Sequence, residues 1–117
     1  MTEYFGIPLE RLLIDSVRWT PGGSEHIKTR TERHGTGEFN VEPEWATEAV
    51  LDPDRIVAPA GANSDSLEVI GFSASADELL KVWIYPEDLQ EGTWFGASAC
   101  KANSTDRRNY KEVNEDG

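Results

Sequence analysis

The sequence predicts an α+β fold: a small antiparallel sheet of about four to five strands, with two helices after the first strand and a C-terminal helix. Three observations lead there. Apolar, strand-like runs gather in the second half of the chain, around residues 67–73, 79–85 and 93–100, and turn residues separate them. Stretches with helix start signals lie before and after this group. The order is therefore strand, two helices, a strand meander and a helix, which packs helices on one side of a sheet.

Residues 1–15 read as an N-terminal helical extension. Pro8 stands at a tolerated early position, and Leu9, Leu12 and Leu13 supply an apolar side. Val17-Arg18-Trp19 is a short strand, and Thr20-Pro21-Gly22-Gly23 a turn. Ser24 caps a helix running to about Arg33, and Gly35 closes it. Residues 36–40 connect to a second helix, opened by Val41-Glu42-Pro43-Glu44-Trp45 and stopped by Asp52-Pro53. Its apolar stripe is Trp45, Ala49 and Val50. Residues 55–58 form a weakly signalled strand and residues 60–65 a loop. Residues 67–73 are a strand and residues 74–77 a turn. The most apolar run, residues 79–85, is a central strand, followed by a loop over residues 86–92. In the last strand, strict alternation puts Phe95, Ala97 and Ala99 on one face and Trp94, Gly96, Ser98 and Cys100 on the other. Asn103 then caps a helix, with Asp106 placed to reach back to a free backbone N–H, and residues 113–117 are a loose tail.

A chain of 117 residues fits one domain. Its 22 acidic residues against 11 Lys plus Arg give a formal net charge of −11, which opposes general binding to a phosphate polymer. Exposed charges stop sensing each other beyond about 8–10 Å, so a local basic patch survives on an acidic body. Seven of the 11 basic residues fall in two windows: Lys28, Arg30 and Arg33, then Lys101, Arg107, Arg108 and Lys111. Both histidines, His26 and His34, lie in the first window. The one cysteine suits a reducing compartment. With no long apolar run and no signal-peptide pattern, the expectation is a cytoplasmic protein that does not enter a membrane.

The junction from Ala99 to Tyr110 is the first candidate site. Arg107 and Lys111 share a helix face, with Tyr110 beside them. Guanidiniums, a phenol and ammonium groups at a sheet edge can hold an anion such as phosphate. Arg108, turned about 100° from Arg107, has Glu112 as a partner four residues on. Each of these cations has a plainer reading as half of a surface ion pair, and Tyr110 as an anchor of the last helix. His34 has the pKa of a general acid or base, or caps a helix C-terminus. His26 and His34 are eight residues apart without a Cys/His cluster, so no metal or other cofactor is expected. Asp77-Glu78 and Glu87-Asp88 read as solvated acids in loops.

Glu25-His26-Ile27 with Arg33-His34-Gly35, then Val41-Glu42-Pro43-Glu44-Trp45 with Glu48-Ala49-Val50, then Ala99-Cys100-Lys101-Ala102 with Asp106-Arg107 and Tyr110, occur in one order. This set resembles the BrnT family of type II toxins, which are similar in fold to the RelE group of ribonuclease toxins. The resemblance spans about residues 18–112. It implies a metal-independent endoribonuclease that inhibits translation. It also implies neutralisation by an antitoxin, typically a ribbon-helix-helix protein, through which alone DNA would be contacted.

Cleavage of this kind needs a group that takes the 2′-OH proton, cations that stabilise the charged phosphorane, and a donor to the leaving oxygen. By their chemistry the candidates for the catalytic roles are His34, Arg107 and Tyr110, and for phosphate binding Lys101, Arg108, Lys111, Arg33 and Arg30; Arg107 matches the family position better than Arg108. Three features depart from the family pattern: Cys100 where relatives carry arginine, a longer segment from His26 to His34 with residues 36–40 inserted before the second helix, and the charge of −11. Cys100 and the charge of −11 motivate the alternative of a catalytically inactive protein-binding module with the same fold.

Overall fold

The structure, a computed structural model, describes residues 3–29, 40–60 and 66–115. It begins with a two-stranded hairpin, β1 (Glu3–Tyr4) and β2 (Ile7–Pro8), and a single 3-10 turn over Leu9–Arg11. Next come β3 (Ser16–Arg18), α1 (Pro21–Lys28) and α2 (Pro43–Val50). The rest is β4 (Ile56–Pro59), β5 (Leu67–Ser73), β6 (Glu78–Asp88), β7 (Thr93–Lys101) and α3 (Ser104–Glu115). Among the described residues this is an α+β fold, and no helix is long and apolar enough to cross a membrane.

The five-stranded sheet has the order β3-β7-β6-β5-β4. The run β4 to β7 is the expected antiparallel meander, but β3 pairs with β7 in parallel, with Val17 opposite Trp94. The sheet is thus mixed. The cause is the route of the chain. It leaves β3 at one edge, enters the sheet again at the far edge as β4, and meanders back until β7 lies beside β3. A parallel neighbour needs such a long crossover.

One face of the sheet makes the core. Leu67 and Val69 of β5, Leu80, Val82 and Ile84 of β6 and Trp94 of β7 are all fully buried there. Ile27 of α1 and Ala46, Ala49 and Val50 of α2 pack against them. The backbone of α2 comes so close to β5 that a Cβ at Gly71 would sit 1.9 Å from the Ala49 carbonyl oxygen. Only glycine fits a contact of that kind.

Local chemistry explains where the elements start. Pro21 stands at the first turn of α1, so Thr20-Pro21-Gly22-Gly23 is a helix start rather than a turn. The Thr20 hydroxyl, not Ser24, is the cap, accepting from the Gly23 amide at 3.0 Å. Among the described residues α1 ends at Lys28; its expected run to Arg33 and the Gly35 cap lie outside them. The amide of Val41 donates to the Ile27 carbonyl at 2.9 Å, so α2 is approached from beside the end of α1.

The helix expected near the N-terminus is not formed. Beyond the 3-10 turn the chain is extended, with Leu12 and Ile14 buried and Leu13 exposed between them. The carbonyl of Leu13 accepts the indole N–H of buried Trp94 at 2.9 Å, a bond that fixes this segment in extended form. Tyr4, Leu12 and Ile14 join the main core, so the segment is built into the domain.

Strict alternation also fails in β7. Trp83 faces Ser98 and Ile84 faces Gly96, so Ala97 is an extra, bulged residue. The bulge puts Trp94, Gly96 and Ala99 on the core face and Phe95, Ser98 and Cys100 on the other. β6 runs on through Asp88, further than its apolar stretch suggests.

A cationic corner closed by carboxylates: the candidate functional site

The second face of the sheet carries α3 over one corner. The helix starts where the sequence places it. Asn103 Oδ1 accepts the Asp106 amide at 2.8 Å, and Asp106 Oδ2 accepts the Asn103 amide at 3.1 Å, a reciprocal capping box. Asp106 is 6% exposed. Its other oxygen lies 3.3 Å from Lys81 Nζ, which also meets Glu68 at 2.6 Å. Burial pulls the Lys81 pKa down, but Glu68 and Asp106 outweigh it and hold the ammonium above its ordinary value. This pairing ties α3 to the centre of the sheet.

Arg107 follows immediately. Its Nε donates to the Ala102 carbonyl at 3.3 Å, and its Nη2 donates to Glu78 Oε1. The second oxygen of Glu78 lies 3.7 Å from Lys101 Nζ. Two candidate phosphate ligands, from the end of β7 and the start of α3, thus converge on one carboxylate. Both remain partly open to solvent, with side-chain exposures of 39% for Arg107 and 50% for Lys101. Glu78 is therefore no solvated loop acid. It opens β6 and closes the cationic corner. Glu87, also read as a loop acid, lies in β6 and binds Arg18 at 2.8 Å.

Tyr110 reaches a different carboxylate. Its hydroxyl donates to Asp52 Oδ2 at 2.6 Å, and the same oxygen accepts the Phe72 amide at 2.8 Å. Burial, then the hydrogen bond to Asp52, then the charges of Asp52 and Asp54 push its pKa well above the phenol range. Tyr110 is thus a proton donor committed to Asp52, in a place that anchors α3 to the end of α2. Lys111 pairs with Glu115 at 3.8 Å. Arg108 is exposed and has no ion pair among the described residues; the expected pair with Glu112 is not formed, since both side chains extend into water.

His34, Arg33 and Arg30 lie outside the described residues. His26 is exposed in the last turn of α1. Among the described residues no group of three His, Cys, Asp or Glu side chains is arranged to hold a metal ion. No protein-family model matches the chain, and no curated protein matches it.

Sequence reasoning missed the closing acids Glu78 and Asp52, which lie 29 and 58 residues from the groups they hold. It also missed the aromatic side of β6. Period-two reading of residues 80–85 carries that signal: Leu80, Val82 and Ile84 alternate with Lys81, Trp83 and Tyr85.

Proposed function

We propose that the chain is a metal-independent endoribonuclease of the BrnT-like toxin type, which inhibits translation in the cytoplasm of a bacterial cell. In this reading a cognate antitoxin, a ribbon-helix-helix protein, neutralises it. The observation that carries the reading is the convergence of Lys101 and Arg107 on Glu78. A phosphodiester offers the same oxygen pair as a carboxylate and can take the place of Glu78 between the two cations.

The reaction then runs on this chain's own groups. The 2′-oxygen forms a bond to phosphorus as its proton passes to a base, the role assigned to His34. The bond from phosphorus to the 5′-oxygen breaks, and that oxygen takes up a proton. Arg107 and Lys101 compensate the negative charge that grows on the phosphoryl oxygens. Arg108, Lys111, Arg33 and Arg30 serve the flanking phosphates. Tyr110 acts through position: it holds α3, and with it Arg107, against Asp52.

Inducing the chain in a bacterial host, beside Arg107→Ala, tests the reading. The expected result is rapid arrest of protein synthesis by the native chain and relief by the substitution. One lost charge-stabilising donor costs about 3–4 kcal/mol of barrier. Continued synthesis with folded protein present would refute the toxin.

The second reading is a catalytically inactive protein-binding module. It is favoured by the fact that Glu78 and Asp52 already occupy Arg107 and Tyr110. RNA cleavage by the purified chain that is lost in Arg107→Ala would exclude it.

A further inference from the structure

We propose that the part of the sheet's second face left open by α3 is a docking surface for a positively charged segment of another protein, one that also carries an aliphatic side chain. The register aligns Arg18, Phe95 and Tyr85 across β3, β7 and β6, with Trp83 and Ser98 in the next row. The Tyr85 and Phe95 rings lie 5.5 Å apart, and the Arg18 guanidinium stands 5.7 Å over Phe95. Tyr85 is 40% exposed. Phe95 and Trp83 are half-buried beside it and none of the three belongs to the core cluster, and partly exposed aromatic rows of this kind mark interaction sites. Beyond Trp83 the surface leads into a cavity of about 170 Å³ between α3 and the sheet, lined by Ile56, Ala58, Ile70, Glu68, Asp106 and Asn109. That is room for one aliphatic side chain.

Charge selects the occupant. Among the described residues the two cations on the part of this face left open by α3 are committed: Arg18 to Glu87, and Lys81 to Glu68 and Asp106. Lys81 meets two carboxylates with one charge, so the mouth of the cavity keeps a negative excess on a body of net charge −11. A nucleic-acid strand needs free cations along its path, and among the described residues the strands of this open part offer none. A second copy of this chain brings another −11. A segment with Lys or Arg beside Leu or Ile matches both the acids and the cavity; Lys81 already stands 5.7 Å over Trp83, so an incoming cation stacks on the exposed Tyr85 and the segment's aliphatic part lies along Trp83. This surface holds none of the residues assigned to RNA cleavage, and it stands whether or not the chain cleaves RNA.

The test is a backbone-amide NMR titration of the full chain with three probes: an amphipathic Leu/Lys peptide, its Leu/Glu counterpart and an oligouridylate. The expected result is shifts from the Leu/Lys peptide at residues 81–85 and 95–100, with none from the Leu/Glu peptide. Trp83→Ala and Glu68→Gln, each checked for an otherwise native spectrum, should each weaken the Leu/Lys peptide about tenfold. Four outcomes would overturn the proposal. They are shifts spread over α1 and α2, unchanged affinity in both variants, the same residues shifted by oligouridylate, and concentration-dependent broadening of these residues without any probe.

Discussion

The two faces of the five-stranded sheet are built from the same strands and do opposite things. In β6, Leu80, Val82 and Ile84 are fully buried beneath α1 and α2, while Lys81, Trp83 and Tyr85 point the other way. On the first face the side chains are apolar and closed in, except at its end, where the buried Ser73 hydroxyl donates to Glu48 at 2.7 Å. On the second face α3 covers one corner, and ion-paired cations, carboxylates and aromatic rings stand among aliphatic residues such as Ile56 and Ile70. The contrast teaches where sequence change is felt. The first face holds the molecule together through shape and burial. The second face and the corner at β7 and α3 hold groups whose chemistry exceeds what folding needs.

The largest break in this comparison is Trp94→Ala. The substitution empties a fully buried site and removes the bond to Leu13 that holds the N-terminal segment. The expected loss is about 3–5 kcal/mol in urea unfolding, with little of the native state left at high temperature.

Asp106→Ala comes next, on the second face. It removes the capping box and leaves Lys81 to Glu68 alone. The expected cost is about 1–2 kcal/mol, with fraying of α3 seen as loss of helical circular dichroism.

Tyr110→Phe sharpens the comparison with the smallest effect. It deletes one hydrogen bond, at an expected cost of about 1 kcal/mol near neutral pH. Its pH dependence is more telling. The phenol pKa is raised in the folded chain, so its contribution is fully present below its ordinary value of 10.0. That contribution is lost as pH rises through the higher folded value. The native chain should therefore lose stability more steeply above this pH than Tyr110→Phe does. Absorbance titration should show that the substitution removes a phenol ionising above the usual range.

The local features of the fold were legible in the sequence. Asn103 and Asp106 announce a capping box because both partners lie within one turn. Pro43 opens α2, and β5 has the bounds its apolar run suggests, because neighbouring residues decide both. The features that escaped are decided at a distance. Leu12-Leu13-Ile14 suits a helix or a strand, and the choice falls to Trp94, 81 residues from the carbonyl it binds. The parallel pairing of β3 depends on the route of the whole chain. In β7 one bulged residue, Ala97, reverses the faces that alternation assigns to Ser98, Ala99 and Cys100. At the candidate site the structure brings together Lys101 and Arg107 of the expected cations, and their shared partner was not legible. Nothing near Arg107 in sequence points to Glu78, and nothing near Tyr110 points to Asp52.

The most direct test of the cationic corner is a cleavage assay with purified, folded protein and a short RNA, comparing the native chain with Arg107→Ala and identifying the product ends. If Lys101 and Arg107 hold the scissile phosphate, the native chain yields 2′,3′-cyclic phosphate ends, and the rate falls by about a hundredfold or more in the variant. RNA left intact by the folded native chain, or cut at the same rate by both, would contradict it.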